Sequence, residues 1–295
     1  MTDSAHRPFS ARRVAALTVN TLTELTRLKI FYVVLLFALL LIGSSAFMAR
    51  LTFQQEFQVL KDIALGAISI LTSVLAVVAT AGLLPQDLES KTVYTILAKP
   101  VSRFEYLLGK LAGVLLLLAI STAAMSALFF VVLFVREQTV LHETARQLAT
   151  APPEQLLEAL RNVRASGFDA NLLPGLSVIY LKACVLASLT LFVSTFATTS
   201  IFTMVTMTFV YFIGHLQGTA REYWLQTNGS GWMTRAFLAI LALIFPDLQL
   251  FNLVDDIVAG TRIPAALFER TAALGCFYSA VYLVLAYAVF YRKEL

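Results

Sequence analysis

Long apolar stretches without a single charge constrain this chain more than any other feature of its sequence. Four of them are long enough to cross a bilayer, because about 20 helical residues span a hydrocarbon core of about 30 Å. They occupy residues 30–49, 63–84, 111–135 and 271–291. Only 14% of the 295 residues are charged and 59% are hydrophobic, whereas about a quarter of a soluble domain is charged. The sequence therefore predicts an all-α, polytopic membrane protein.

A further apolar region, residues 172–220, is too long for one span and long enough for two. The polar residues 194–200 (STFATTS) provide a turn, so we predict the fourth and fifth of six spans at 173–195 and 199–217. Lys182 lies inside the fourth span, and a charge at mid-bilayer costs about 2.5–3.5 kcal/mol. We expect its long side chain to snorkel to the interface. The alternative is a role in a transport path.

The apolar stretch 236–246 is too short to cross the membrane, ends in a proline and is followed by acidic residues. We predict a re-entrant helix pair over 236–258, between the fifth and sixth spans, since irregular backbone at membrane depth must be covered by protein or water. The alternative is a kinked seventh span, which would put the two termini on opposite sides of the membrane.

Residues 1–29 carry an amphipathic pattern from Ser10 onward, with leucines on one face and Arg12, Arg13, Glu24 and Arg27 on the other. Such a helix lies in the membrane interface, as an anchor or as a docking surface for a cytoplasmic partner.

The basic residues flank the spans, so anionic lipid headgroups rather than nucleic acid are their expected partners. Basic residues in the short segment 85–110 favour cytoplasmic termini, and we expect a multi-pass protein of the bacterial inner membrane.

The segment 85–110, between the second and third spans, is more elaborate than a connector. Pro85 is expected to end the second span, Asp87 to cap a short helix over 88–98, and Pro100 to stop that helix. Ser102 and Glu105 then have the spacing of a capping box, which starts the helix of the third span. A stiff segment of this kind is suited to receiving force. The alternative is an interfacial helix that only anchors the hairpin.

The long loop predicted over 136–172 contains one further helix, which starts at Pro153 and ends before Gly167. We predict that it forms a cap on the extracytoplasmic side.

Two helix faces carry small or hydroxylated residues, which let helices approach closely. They are Gly66, Ser69, Ser73 and Thr80 in the second span, and Thr199, Thr203 and Thr206 in the fifth. We predict helix packing at both, including a homodimer seam. A polar lining for a substrate path is the alternative.

Catalytic motifs are missing from the sequence. No phosphate-binding loop is present, the histidines at 6, 142 and 215 have no metal-ligand spacing, and the spans contain no carboxylate. The chain is therefore not expected to be an enzyme or to hold a metal, and any uphill transport must draw its energy from another chain.

Residues 88–110 (LESKTVYTILAKPVSRFEYLLGK) resemble the cytoplasmic coupling region of type 2 ATP-binding-cassette (ABC) transporter permeases. The residues that match the family pattern are Glu89, Thr92, Leu97, Lys99, Pro100, Val101, Ser102, Arg103, Tyr106, Gly109 and Lys110. One position departs from it, because the family usually has a glycine before the threonine where this chain has Ser90 and Lys91.

The resemblance implies a single permease domain over 1–295 that pairs with a second permease copy or paralogue. Two separate ATPase subunits would bind ATP and magnesium, so no cofactor is expected in this chain. The contact with the ATPase is expected at Asp87, Glu89, Thr92, Lys99, Pro100, Arg103, Glu105 and Tyr106.

The expected function is an ATP-driven exporter. The alternative is a membrane subunit that transmits ATPase work to an extracytoplasmic partner without passing a substrate. A scaffold without any ATPase partner would leave the coupling segment unexplained, and an intramembrane enzyme is the least supported class.

Overall fold

The computed structural model describes residues 9–50, 56–90, 101–149, 152–169, 171–227, 232–233, 246–259, 261 and 264–292, without the side chains of 30, 48–50 and 219–227. Every regular element in these ranges is helical. The helices are α1 (Ala11–Thr26), α2 (Lys29–Arg50), α3 (Glu56–Ala81), α4 (Leu83–Glu89), α5 (Arg103–Gln147), α6 (Pro153–Ser166), α7 (Leu172–Phe196), α8 (Ser200–Thr227), a 3-10 helix (Leu248–Phe251), α9 (Val254–Val258) and α10 (Ala265–Arg292).

Five membrane-crossing helices can be recognised by length and composition in the described residues, and a sixth if α1 and α2 are counted together. The prediction of an all-α polytopic membrane protein is confirmed. Residues 197–199 separate α7 from α8, so the predicted turn between these spans is where the polar residues indicated. Large apolar side chains on the outside of the bundle, among them Leu40, Phe134 and Phe209, are more than half exposed, as lipid-facing residues are.

The first helix is set at an angle to the second. The axes of α1 and of Phe31–Phe47 in α2 are bent by 68° at the short break between them. In α1, Thr21 and Leu25 are buried while Arg12 and Val19 are exposed. This bend suits a helix that lies along the membrane surface before the chain turns into the bilayer.

The end of the second span differs from our prediction. We expected Pro85 to end it and Asp87 to cap the next helix, and both expectations are wrong. After a turn at Gly82, α4 starts at Leu83 and runs to Glu89, with Pro85 in its first turn, where the missing N–H leaves no bond unmade. Asp87 lies inside this helix. The rest of the predicted coupling helix, residues 91–100, lies outside the described residues.

The third span belongs to an exceptionally long helix. α5 runs without a break for 45 residues, or roughly 65 Å at 1.5 Å per residue. It therefore extends beyond the predicted span 111–135 at both ends. We expected a loop from residue 136, and this is wrong for residues 136–147, which continue α5 to Gln147. The helix can continue beyond the apolar stretch because its backbone hydrogen bonds do not require apolar side chains. The helix predicted to start at Pro153 is present as α6, with Gly167 at its C-cap; its position on the extracytoplasmic side stays a prediction.

Lys182 does not snorkel, contrary to our expectation. It lies midway along α7, is only 2% exposed, and its ammonium donates a hydrogen bond of 2.5 Å to Ser69 Oγ, midway along α3. A hydroxyl acceptor across the helix interface replaces the water that a snorkelling side chain would reach.

The described half of the predicted re-entrant pair consists of the 3-10 helix and α9, both far too short to cross a bilayer. The other half, residues 236–245, lies outside the described residues.

The bundle has two recognisable ends. At one, which we call the α1 end, α1 and α4 surround the start of α5 and the end of α10. At the other, the α6 end, α6 lies beside the starts of α3 and α7, and Arg136 of α5 is paired with Glu56 of α3.

Candidate functional site

The start of α5 is fixed by a capping box. Ser102 has extended backbone angles, its hydroxyl accepts a hydrogen bond from the Glu105 amide at 3.1 Å, and the Glu105 carboxylate accepts one from the Ser102 amide at 2.9 Å. The two residues satisfy each other's donors, as expected from the sequence. The first turn of the 45-residue helix is therefore well defined.

The same carboxylate attaches α1 to α5. Glu105 is fully buried, and its Oε1 accepts hydrogen bonds from the Arg13 guanidinium at 2.7 Å and from the Ser10 amide at 2.7 Å. A buried carboxylate is stable only when paired and hydrogen-bonded. This one uses both oxygens, one toward its own helix and one toward α1.

A second ionic cluster lies one to two turns further along α5. Lys110 is 2% exposed, and its ammonium lies 2.8 Å from Asp87 Oδ2 and 3.2 Å from Glu24 Oε2. The Tyr106 hydroxyl donates a 2.5 Å hydrogen bond to the same Asp87 oxygen. Asp87 thus joins α4 to α5, and Glu24 adds α1 to the cluster.

Arg103 connects the start of α5 to the end of α10. Its guanidinium donates to the carbonyls of Phe290 at 3.1 Å and Tyr291 at 2.8 Å and lies 5.9 Å from the Tyr291 ring centroid. A cation at the C-terminus of a helix satisfies its last carbonyls and complements its dipole. Tyr106 stacks on Phe290 beside it.

Two glycines let α1 lie directly against α5. A Cβ atom built on Gly109 would lie 2.5 Å from the Leu17 Cβ, and one built on Gly113 would lie 2.6 Å from the Thr21 Cβ. Only glycine fits at such distances. We define the junction as these two contacts together with the two ionic clusters and the Arg103 contact.

A cleft of about 540 Å³ opens beside the junction, between α1 and α4. Its lining combines acidic, basic and amide side chains: Asn20, Thr23, Glu24, Arg27, Gln86, Asp87, Ser90 and Lys110. No group of histidine, cysteine or carboxylate residues suited to a metal occurs among the described residues. The charged lining suits contact with another polar surface. Ser90, at the rim, leads directly into residues 91–100.

Half of the eight predicted coupling residues meet at the junction: Asp87, Arg103, Glu105 and Tyr106. Glu89 is exposed in the last turn of α4, and Thr92, Lys99 and Pro100 lie outside the described residues.

The predicted packing residues are spread more widely. On α3, Ser69, Ser73 and Thr80 are buried inside the chain, and Gly66 is half-buried with open space around it. On α8, Thr203 is buried, Thr206 half-buried and Thr199 exposed.

Arg13 and Glu24 join α1 to α5 by pairing with Glu105 and Lys110. The sequence analysis placed both residues only on the polar face of the first helix and did not predict these contacts. Two signals pointed to the contact. Gly109 and Gly113 have the G-x-x-x-G spacing that lets helices pack closely, and α1 carries ionic residues that need partners.

A comparison with protein-family models matches residues 21–295 to a family described as ABC-2 family transporter protein. A comparison with curated proteins found no match. The family match covers nearly the whole chain and includes α2 to α10 with the Asp87–Lys110–Glu24 cluster, whereas Ser10 and Arg13 precede it. The chain therefore belongs to the ABC-2 family of transporter proteins, as a membrane permease component of an ABC transporter.

Proposed function

We propose that this permease is the membrane-spanning subunit of an ATP-driven exporter of the bacterial inner membrane. A separate ATPase subunit, which binds ATP and magnesium, docks at the α1 end. A second permease copy or paralogue completes the transporter, and both termini lie in the cytoplasm. One observation carries the proposal: the buried junction connects α1, α4 and α10 to the start of a single helix that continues through the membrane.

Motion of α4 is transmitted to α5 because the contacts between them are buried and charged. Removing one partner from a buried ion pair costs about 3–5 kcal/mol, so the Asp87–Lys110 contact resists separation. A push on residues 87–103 therefore tilts or shifts α5 as a rod. Since α5 is unbroken from Arg103 to Gln147, the displacement reaches the α6 end.

The cleft between α1 and α4 contributes to the docking surface. Its side chains offer both signs of charge, and Glu89 projects from the last turn of α4 beside it. An ATPase surface with complementary charges can contact α1 and α4 at once, so that its closure pushes on the junction directly.

The orientation is tested by labelling single cysteines with a membrane-impermeant maleimide. Cys184 and Cys276 are the only native cysteines and are first replaced by serine. Glu89→Cys reports on the α1 end and Arg161→Cys on the α6 end. We expect Glu89→Cys to react only in inside-out vesicles and Arg161→Cys only in right-side-out ones. The reverse pattern overturns the proposal.

The docking site is tested with a photo-crosslinking amino acid at position 89 and, as a control, at position 161. After mild detergent extraction, we expect position 89 alone to crosslink to a chain that contains a phosphate-binding loop. A crosslink from position 161 alone, or a purified complex without ATP hydrolysis, would contradict ATPase docking at the α1 end.

The continuation of α5 beyond the membrane favours a second candidate, in which ATPase work is transmitted to an extracytoplasmic partner. The two functions differ in proteoliposomes. ATP hydrolysis that rises with members of a panel of amphiphilic solutes supports the exporter. A rate of ATP hydrolysis that no solute changes, but that changes in Glu56→Ala, supports transmission of ATPase work to a partner. This variant breaks the contact with Arg136.

A further inference from the structure

A polar cleft at the α6 end is lined by Lys61, whose ammonium has no direct partner among the described residues. The cleft has a volume of about 300 Å³, and its polar lining includes Gln58, Lys61, Ser166, Asp169 and Asn171. Lys61 is only 4% exposed. Within the described part of the chain, its ammonium makes no hydrogen bond and no ion pair within 4 Å. A mostly buried lysine whose ammonium lies in a cleft is stabilised by a partner of opposite charge.

Two carboxylates, Asp169 in the cleft lining and Glu137 outside it, lie near enough to attract Lys61. Asp169 and Glu137 interact with the Lys61 ammonium electrostatically without touching it. Asp169 is held in place because the Asn171 backbone and side-chain amides donate to it at 3.2 and 2.9 Å. The cleft therefore presents one positive group, Lys61, and one negative group, Asp169, that are kept apart. A simple anion would be attracted by Lys61 and repelled by the carboxylates, whereas a zwitterion satisfies both.

The ends of two apolar stretches put the cleft at the depth expected for lipid headgroups. The apolar stretch 63–84 begins two residues after Lys61, and the apolar region 172–220 begins directly after Asn171. Phe168 and Leu173, on either side of Asp169, are 56% and 59% exposed. Polar groups at the boundary of two spans, next to exposed apolar side chains, match the division of a phospholipid into headgroup and acyl chains.

We propose that this cleft binds a phospholipid with a phosphoethanolamine headgroup. The phosphate lies on the Lys61 ammonium, with the exposed Gln58 amide as a second donor, and the lipid ammonium lies on the Asp169 side. The acyl chains run along the apolar surface beside Phe168 and Leu173. Binding would join α3 to the segment between α6 and α7 and so stabilise the α6 end.

The proposal is tested by native mass spectrometry of the full-length protein in mild detergent, with dioleoyl phosphatidylethanolamine, phosphatidylglycerol or phosphatidylcholine added at equal concentration. We expect phosphatidylethanolamine to be retained most strongly. Phosphatidylglycerol lacks the ammonium, and the quaternary ammonium of phosphatidylcholine cannot donate a hydrogen bond to Asp169. Equal retention of all three lipids overturns the proposal.

Two variants separate the two halves of the headgroup. Lys61→Met should weaken phosphatidylethanolamine binding by about tenfold, as expected for loss of one charge-assisted hydrogen bond, while Lys61→Arg retains it. Asp169→Asn should remove the preference over phosphatidylglycerol. Arg161→Gln, which removes an exposed charge at the same end, should bind as the native protein does.

Competition with inorganic phosphate is the remaining test of the proposal. If millimolar phosphate alone displaces the lipid from the native protein, the cleft is a site for free anions and the lipid proposal is wrong. Unchanged phosphatidylethanolamine binding in Lys61→Met also overturns it. The variant removes a buried charge, so we expect it to fold, and gel filtration together with Lys61→Arg verifies this.

Discussion

Lys110 Nζ and Asp87 Oδ2 lie 2.8 Å apart, and both side chains are buried. This pair connects the helix at the end of the second span to the helix that forms the third. Lys110 lies inside α5 and Asp87 two residues before the end of α4, so a displacement of the intervening residues acts on both partners. The proposed transmission of force depends on this contact more than on any other.

Replacing Asp87 by alanine should destabilise the protein by about 3 kcal/mol, toward the lower end of the range for breaking a buried ion pair. Among the described residues, Lys110 keeps one carboxylate partner, Glu24 at 3.2 Å, and the Tyr106 hydroxyl loses its acceptor. Asp87→Asn should lose less, because the amide oxygen still accepts from Tyr106. Thermal unfolding in detergent measures both. Glu89→Ala, on the exposed side of the same helix, should change nothing; an equal loss there would show that α4 as a whole, and not the buried pair, is sensitive.

Arg13→Ala should release α1 from α5. Among the described residues, Glu105 then keeps the backbone amides of Ser10 and Ser102 as its partners, so the free energy of local opening of α1 falls. Hydrogen–deuterium exchange of the amides in 11–26 should become at least tenfold faster, which corresponds to about 1.4 kcal/mol. Arg12→Ala removes a neighbouring exposed charge and should leave the exchange rates unchanged. Equal rates in the two variants would mean that Arg13 does not hold α1.

The sequence predicted the elements of this fold better than the contacts between them. Apolar length identified the crossing helices, and the spacing of Ser102 and Glu105 identified the capping box, because both depend on residues close together in the chain. The prediction for Pro85 was wrong because a proline can follow the end of one helix or lie in the first turn of the next. The turn at Gly82 puts Pro85 in the first turn of α4.

The partners of the buried charges were harder to predict. Lys182 was expected to reach the interface, and its actual acceptor, Ser69, is 113 residues away in sequence. Glu105 and Lys110 likewise pair with Arg13 and Glu24 across more than eighty residues. Charge patterns indicated that partners were needed, and only the packing of α1 on α5, allowed by Gly109 and Gly113, determined which residues they are.

Gly109→Ala should push α1 away from α5. The added methyl group would lie 2.5 Å from the Leu17 Cβ, which is attached directly to the backbone and cannot rotate away. We expect a loss of about 1–3 kcal/mol from overpacking, seen as a lower melting temperature and faster exchange in α1. Gly66→Ala is the matched control on a crossing helix, because open space surrounds that position. If Gly109→Ala is no more destabilising than Gly66→Ala, the close contact is not a requirement of the fold.

Removing Ser69 and removing Lys182 should affect the stability of the protein differently, although the two residues share one hydrogen bond. Ser69→Ala leaves a buried ammonium without its acceptor, which should destabilise the protein by about 1–3 kcal/mol. Lys182→Met removes the charge itself, which costs about 2.5–3.5 kcal/mol to hold at mid-bilayer, so its stability should equal or exceed that of the native protein. The double variant should behave like Lys182→Met, since no charge is then left to satisfy.

Ser188→Ala controls for loss of a buried hydroxyl, because that hydroxyl bonds only to carbonyls of its own helix. Thermal unfolding of all four variants in one detergent provides the comparison, and a Ser69→Ala variant as stable as Ser188→Ala would mean that Lys182 is satisfied in some other way.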